Sequence, residues 1–532
     1  MDQEKNIESI RSLEKQIREG KGDTINLKRA RNSLLNISVR VPPEILGYIF
    51  TWIVARERDY SVYTEAGFDG LKSGSYSFLL VCHHWSKVAS RTPELWAFWG
   101  NTLHDWRKRC HRARAVPVDL VLEAYTITGP QVLCAPLRDA LRDRATRDKI
   151  RQIHLRSDDT DLLASILSPL MEGTTEKSIE SIVLETANPP ELSQFFARSF
   201  LPRLQCFHLS GALPTPVWDH LALQTARLTV LSLQLTWESD CPTMSQLLAI
   251  LISNPNLQEL NLADAALPEE ADWSGARVPL HCLKTIDLIG EFDGVFGLLK
   301  WLELPATLGY LNIKTYDFSA DDILRTAGPY LQGHFQRDLR FQDRSEVFIS
   351  NPDRRRFEII VCRDTNDPGS VHQPRRVSPY VRFSSVASGP PPPDPVMKNF
   401  LREFMAFIPR KHVVSLKTSY CLGLPEELFI AMPNIETLSL SGHTLSEGFL
   451  QPNPDGPYAN TKLLPSLRSL YLGINAVEKS GWEPLVSYLA HQTSGNHAIS
   501  FHQYRGFRHM PWEVVAQVQD LVGEFDGPGY GW

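Results

Sequence analysis

The residues of this chain that could carry out catalysis or hold a metal are its histidines, cysteines and acidic clusters. Their spacing decides which chemistry is open to them. His83 and His84 stand beside Trp85. Neighbours on a helix point in different directions, so this pair does not chelate an ion. Asp158, Asp159 and Asp161 surround Thr160 just before the apolar run Leu162 to Leu167. Such a cluster can attract a cation, but these residue types before an apolar run fit helix capping better. His497, His502 and His509 have no thiol or carboxylate at ligand spacing around them. The eight cysteines (Cys82, Cys110, Cys134, Cys206, Cys241, Cys282, Cys362 and Cys421) show no metal-ligand or redox pairing. In a chain this long they fit a reducing compartment. No Gly-rich phosphate loop, His-Glu-x-x-His helix or Gly-x-Ser-x-Gly elbow occurs. The expectation is a non-enzyme that uses no cofactor and no metal.

Binding chemistry is left, and it depends on what positions the polar side chains. A Leu-x-x-Leu-x-Leu pattern recurs at Ile150, Ile153, Leu155; Ile179, Ile182, Leu184; Leu204, Phe207, Leu209; Leu228, Leu231, Leu233; Leu257, Leu260, Leu262; Leu283, Ile286, Leu288; and Leu308, Leu311, Ile313. It resumes at Ile435, Leu438, Leu440 and at Leu467, Leu470, Leu472. Successive copies step by about 24 to 32 residues, around the leucine-rich-repeat range. Helical runs separate the strands, for example Leu192 to Phe200, Met244 to Ile252, Phe296 to Leu302, Ile323 to Leu331, Phe400 to Ile408 and Pro484 to Leu489. Pro202, Pro255, Pro305, Pro409, Pro433 and Pro465 end them and favour an extended entry to the next strand. One such unit cannot bury both its leucines and its helix, whereas stacked neighbours can. An α/β repeat is expected, a curved solenoid with parallel strands inside and helices outside.

In each strand the leucines point inward and the residues between them point outward. The outward candidates for target binding are His154, His208, Glu259, Asn261, Asp287, Tyr310, Asn312, Ser439 and Tyr471. The row is mostly neutral and polar, which suits a protein surface better than nucleic acid, whose phosphates call for rows of Lys and Arg. A formal net charge of −6 likewise argues against broad binding to nucleic acid or an anionic membrane. The polar start and the lack of a long apolar run point to a soluble cytoplasmic or nuclear protein.

Residues 340–395 break the register. Val347 to Ile349 and Phe357 to Val361 read as strands, while Thr365 to Pro379 and the proline-rich Ser388 to Asp394 read as loop. This region is expected to be degenerate repeats with a surface insertion. The domain reading is thus a helical arm over 1–36, a helical unit over 37–100, the repeat array over 101–490, and a cap and tail over 491–532. The arm carries a coiled-coil seam broken at Gly20, Thr24 and Arg31, so it reads as two short helices or a dimerising arm. The copies are expected to stop near Ala490, with a terminal helix over Val514 to Val522.

The helical unit, Val41 to Trp96, is the densest apolar stretch outside the repeats. Pro42 and Pro43 precede a run in which Ile45, Leu46, Ile49, Phe50 and Ile53 recur at helical spacing, and Glu44 suits the positive helix start. Leu79, Leu80, Cys82, Trp85, Val88 and Ala89 make a second helix. Residues 54–76 between them read as an inserted loop. So short a segment encloses little core, so apolar surface should be left over to dock against something.

The order Pro-x-Glu-Ile-Leu-x-x-Ile-Phe, then Leu-Val-Cys-x-x-Trp, then Pro-x-Leu-Trp resembles the F-box. The matching positions are Pro42, Glu44, Ile45, Leu46, Ile49, Phe50, Leu80, Val81, Cys82, Trp85, Pro93, Leu95 and Trp96. With the repeats behind it, the chain is similar to the expanded F-box families of basidiomycete fungi. The resemblance implies that these positions bind a Skp-type adaptor and, through it, a cullin-RING ubiquitin ligase. The repeats would then hold an unknown protein target for ubiquitination. The alternative is a leucine-rich-repeat scaffold that acts outside any ligase.

Overall fold

The computed structural model resolves into two compact units. In the first, residues 2–19, 26–28, 30–31, 41–63, 78–99, 111–113, 116–123, 137, 139–157, 159–171, 178–186, 201–211, 218, 227–228 and 235–236 are described. In the second, the described residues are 229–234, 242–264, 267, 274–316, 323–337, 344–350, 356–363, 380–386, 394–419, 426–441, 464–473, 482–493, 498–503 and 512–526. The Leu192 to Phe200 helix, the loop over residues 64–77, Thr365 to Pro379, the tetraproline, His497 and His509 lie outside the described residues.

Unit 1 opens with helix α1 (Asp2–Arg18), then α2 (Pro43–Tyr63), α3 (Phe78–Val81), α4 (His83–Arg91) and a short 3-10 turn, Pro93–Trp96. Strands β1 (Phe98–Trp99), β2 (Val118–Glu123), β3 (Ile150–Arg156), β4 (Ser181–Thr186) and β5 (Cys206–Gly211) then pair in sequence order, all parallel. Helix α5 (Thr160–Met171) connects β3 to β4, and its start is capped as the acidic cluster predicts. The Leu162 amide donates to Asp159 Oδ1 at 3.0 Å.

Unit 2 continues the strand–helix alternation. Strands β6 (Val230–Leu235) and β7 (Glu259–Asp264) flank α6 (Met244–Ser253), whose Thr243 and Gln246 form a reciprocal capping box. A small pair, β8 (Val278–Pro279) with β10 (Leu302–Glu303), sits beside the main ladder. The ladder itself runs on through β9 (Thr285–Glu291), α7 (Phe292–Trp301) and β11 (Tyr310–Tyr316). Every repeat copy predicted within either unit falls on a strand, with its apolar positions buried.

In residues 340–395 the two expected strands are present, a third that the sequence reading missed joins them, and the loop-like stretches fall almost wholly outside the described residues. Three strands there, β12 (Ser345–Ser350), β13 (Arg356–Arg363) and β14 (Tyr380–Val386), lie inside the sheet. From β11 the chain passes through α8 (Gly328–Arg337) to β12, turns back as antiparallel β13, and returns as β14 alongside β11. Helix α9 (Asp394–Met405) then carries it to β15 (Val413–Ser419), which pairs with β12. The spatial order is therefore β11, β14, β13, β12, β15. Phe383 of β14 stacks on Phe404 of α9 at 5.6 Å, and Phe357 of β13 meets Phe400 edge-on at 4.9 Å. These rings are buried, which puts the inserted strands in the core.

The ladder also outlasts Ala490. After α10 (Glu426–Ala431), β16 (Thr437–Ser441), β17 (Ser469–Leu472) and α11 (Trp482–Thr493), parallel strands β18 (Ser500–Gln503) and β19 (Glu524–Asp526) follow, with α12 (Trp512–Leu521) between them. The repeat template missed them because they offer Phe501 and Phe525, not leucines, at the inward position. No described helix is long and apolar enough to cross a membrane.

The inserted strands give a direct stability prediction. Phe383→Ala should lower the unfolding free energy by about 3–5 kcal/mol, because the cavity opens against Phe404 and Phe296. Urea denaturation followed by circular dichroism measures it. A surface insertion would lose less than about 0.5 kcal/mol.

Candidate functional site

Two surfaces answer to the predicted sites. The first belongs to the helical unit. Pro43 starts α2, and the Leu46 amide donates to the Pro42 carbonyl at 3.0 Å. The helix divides its apolar residues between two faces. Leu46, Phe50 and Val54 recur four apart and are buried. Phe50 packs on Trp85 of α4 with ring centroids 5.1 Å apart. Gly47 is buried on the same side. A Cβ there would stand 2.9 Å from Thr92 Oγ1, so a small residue lets α2 close on the 3-10 turn. Leu95 and Trp96 from that turn complete this core, and Trp96 Nε1 donates to the Ala89 carbonyl at 2.8 Å.

The opposite face of α2 is open. Ile45, Tyr48, Ile49 and Trp52 are 53%, 72%, 41% and 54% exposed, and they recur at i, i+3, i+4 and i+7. Val81, at the end of α3, is half exposed. These five, with Ile252, are the exposed large apolar side chains among the described residues.

Of the predicted adaptor positions, Ile45, Ile49 and Val81 therefore offer apolar surface, and Pro42 and Glu44 are exposed beside them. Leu46, Phe50, Leu95 and Trp96 hold the unit together from inside. Cys82 and Trp85 join in a cap: the Trp85 amide donates to Cys82 Sγ at 3.5 Å at the start of α4. Pro93 opens the 3-10 turn. Leu80 lies on α3, and its side chain falls outside the described residues. Tyr48 and Trp52 were not among the predicted residues, although their helical spacing from Ile45 could have found them. The expected inserted loop over 54–76 begins as helix, since α2 runs on to Tyr63. The unit is joined to the sheet of unit 1 in register: the Asp119 amide donates to the Ala97 carbonyl at 2.8 Å, and Phe98 pairs with Asp119.

The second surface is the outward face of the strands. In unit 1, His154, Val183 and His208 share one row and Arg156, Glu185 and Ser210 the next. Glu185 lies 3.2 Å from Arg156 Nε and 3.6 Å from His154 Nε2. The His154 imidazole 3.6 Å away, helped by the charge of Arg156, holds the Glu185 carboxyl below its ordinary range despite burial. Burial pushes the His208 imidazole down; the charge of Glu185 opposes this and that of His154 adds to it. Arg151 clasps Asp119 with Nη2 at 3.0 and 3.1 Å from the two carboxylate oxygens.

In unit 2, Asn261, Asp287, Asn312 and Arg382 align across β7, β9, β11 and β14. Asn312 Nδ2 donates to Asp287 Oδ1 at 2.7 Å, and burial raises the Asp287 carboxyl above its usual value. Further along, Lys417, Ser439, Tyr471 and His502 share a row, with Tyr471 and His502 stacked at 4.4 Å. Arg382 pairs with Glu358 and Lys417 with Glu346.

The nine predicted target residues thus lie on outward rows, in two separate units. His154, Asn312 and Ser439 are more than nine-tenths buried. Glu259 is exposed, and His208, Asn261, Asp287, Tyr310 and Tyr471 are half-buried. Arg156, Glu185, Glu346 and Glu358 went unpredicted; they lie at outward positions of strands beyond the nine residues chosen. Among the described residues no group of three or more His, Cys, Asp or Glu could hold a metal ion.

The sign of the pH response follows from these shifts. The unfolded chain takes a proton on His208 near 6.5, whereas the fold takes it only at lower pH. Stability should therefore fall as pH drops below about 6.5 and level off below the folded value. Glu185 adds a second loss in the same direction as pH falls below about 4.5, through its depressed folded value. Urea unfolding at stepped pH should show both, and His208→Gln should flatten only the upper segment. Compared with known protein families and with curated proteins, the chain matches none.

Proposed function

We propose that the chain is the substrate receptor of a cullin-RING ubiquitin ligase. The helical unit acts as an F-box that docks a Skp-type adaptor, and the stacked strand–helix units act as a leucine-rich-repeat-like solenoid that holds a protein target. The observation that carries this reading is the open apolar strip Ile45, Tyr48, Ile49 and Trp52 on α2, backed by a core that keeps the helix fixed. An apolar strip at helical spacing on a supported helix fits a partner's groove, and a tryptophan and a tyrosine within it suit an interface anchor. The receptor would raise the target's effective concentration beside the ubiquitin thioester, while the ligase's other subunits supply the chemistry. Such an assembly works in the cytosol or the nucleus.

A second reading has its own support. The pairing of β1 with β2 makes the helical unit an extension of the strand ladder, as expected of a cap on a scaffold. Co-purification of the full-length protein with a Skp-type adaptor separates the two. The receptor reading expects a stable complex. Ile49→Asp with Trp52→Ala should weaken it roughly 100-fold, about 2.7 kcal/mol, at an unchanged melting temperature. A wild-type protein that fails to bind the adaptor overturns the receptor reading. So does a double variant that loses stability and keeps binding.

A further inference from the structure

A cleft of about 390 Å³ in unit 2 is lined by α8, the turn that follows α9, and Ala431. Its apolar lining includes Phe335, Phe407 and Ile408, and Gln332 and Gln336 line it too. The Phe407 ring occupies the place that a side chain at residue 328 would take. A Cβ on Gly328 would meet Phe407 Cε2 at 2.1 Å, so the glycine is what seats the ring. Phe404 steadies it edge-on at 6.3 Å.

The rim is a 3-10 turn, Arg410–His412. Its backbone is pinned: the Arg410 amide donates to the Ile408 carbonyl at 2.7 Å and the His412 amide to Pro409 at 2.9 Å. Asn434 Nδ2 donates to the Lys411 carbonyl at 2.7 Å. Among the described residues, the side chains of Arg410, Lys411 and His412 have no carboxylate partner and no acidic side chain lines the cleft. Two permanent cations and an imidazole thus stand unmatched beside apolar surface, in a chain whose formal net charge is −6.

We propose that this cleft docks an acidic segment of a partner protein. One apolar side chain of the segment rests against Phe335 and Phe407, and flanking carboxylates meet Arg410 and Lys411. Charge complementarity selects the class of partner, since an unpaired cation beside apolar surface favours an acid and penalises a base. Two permanent charges are too few for an anionic bilayer, whose recognition takes clusters of about four to eight. The cleft shares no residue with the outward strand rows or with the α2 strip, so it stands whether or not the ligase reading does.

Fluorescence anisotropy with the full-length protein tests it. The probes are labelled synthetic peptides with a central Leu-Phe pair flanked by Asp and Glu, by Ser and Asn, or by Lys. The acidic peptide should bind and the other two should not, with affinity falling as salt rises. Arg410→Glu with Lys411→Glu should weaken binding roughly tenfold or more at an unchanged melting temperature. Arg410→Gln with Lys411→Gln repeats the test if the charge reversal disturbs folding. Three results overturn the proposal: equal binding of the acidic and neutral peptides, affinity that survives both double variants, or sedimentation with phosphatidylserine vesicles in the absence of peptide binding.

Discussion

A parallel strand buries a leucine only if its neighbour brings an apolar side chain to the same height, and each unit is built on that demand. In unit 2 one inward row runs through Leu260, Ile286, Leu311, Val381, Val361, Val347, Leu416, Leu438, Leu470 and Phe501. All ten are buried to 3% exposure or less. The row passes through β13, which runs the other way. Side chains alternate with a period of two in either chain direction, so an antiparallel strand keeps the row intact as long as its parity is right. That is how a hairpin enters a parallel array without breaking the core. The chain must still cross from β11 to β12 and from β14 to β15, each time past two strands. Helices α8 and α9 make those crossings, and Phe400 and Phe404 of α9 fill the space above the inserted strands.

This parity also marks how far the fold could be read in the sequence. The nine leucine copies were legible because local pattern and burial coincide in them. Strand β14 was not: Tyr380 to Val386 presents Val381 and Phe383 inward, but without the leucine spacing and between the loop-like Thr365 to Pro379 and the proline-rich Ser388 to Asp394. Strand β15 carries Thr418 where the template expects leucine, and the site tolerates it because Ile349 and Leu440 flank it in the same row. The strand order in this region depends on pairings between residues far apart in the chain, such as Ser345 with Val413. No window of local sequence contains them.

The helical unit shows a different limit. Helix α2 is apolar on both faces, so its periodicity announces a helix without telling which side the unit itself buries. Leu46, Phe50 and Val54 took the inside because Trp85, Leu95 and Trp96 stand there to receive them, and Gly47 lets the turn approach. Ile45, Tyr48, Ile49 and Trp52 were left outside by the same packing. The predicted set therefore mixed residues that hold the unit together with residues that present a surface. Side-chain type alone could not divide them, since isoleucine, phenylalanine and tryptophan serve equally well for either purpose.

Charge divides in the same way. On the outward rows and at the strand ends beside them, several described cations are already matched: Arg151 with Asp119, Arg156 with Glu185, Arg344 with Glu436, Arg382 with Glu358 and Lys417 with Glu346. Cross-strand pairs of this kind help to fix neighbouring strands, and a partner reaching for one of these cations would first have to displace its carboxylate. A row that looks like a recognition surface in the sequence is thus partly occupied by the structure's own register. Arg410 and Lys411 stand off the ladder, on a turn whose Lys411 carbonyl is held by Asn434, and no described acid pairs with them. Being off the ladder is what leaves them unmatched, and an unmatched cation over apolar surface can add free energy to a complex without giving up a contact in the free protein. Among the described residues, Arg410 and Lys411 are thus open to electrostatic recognition because the repeat's own pairing rule does not reach them.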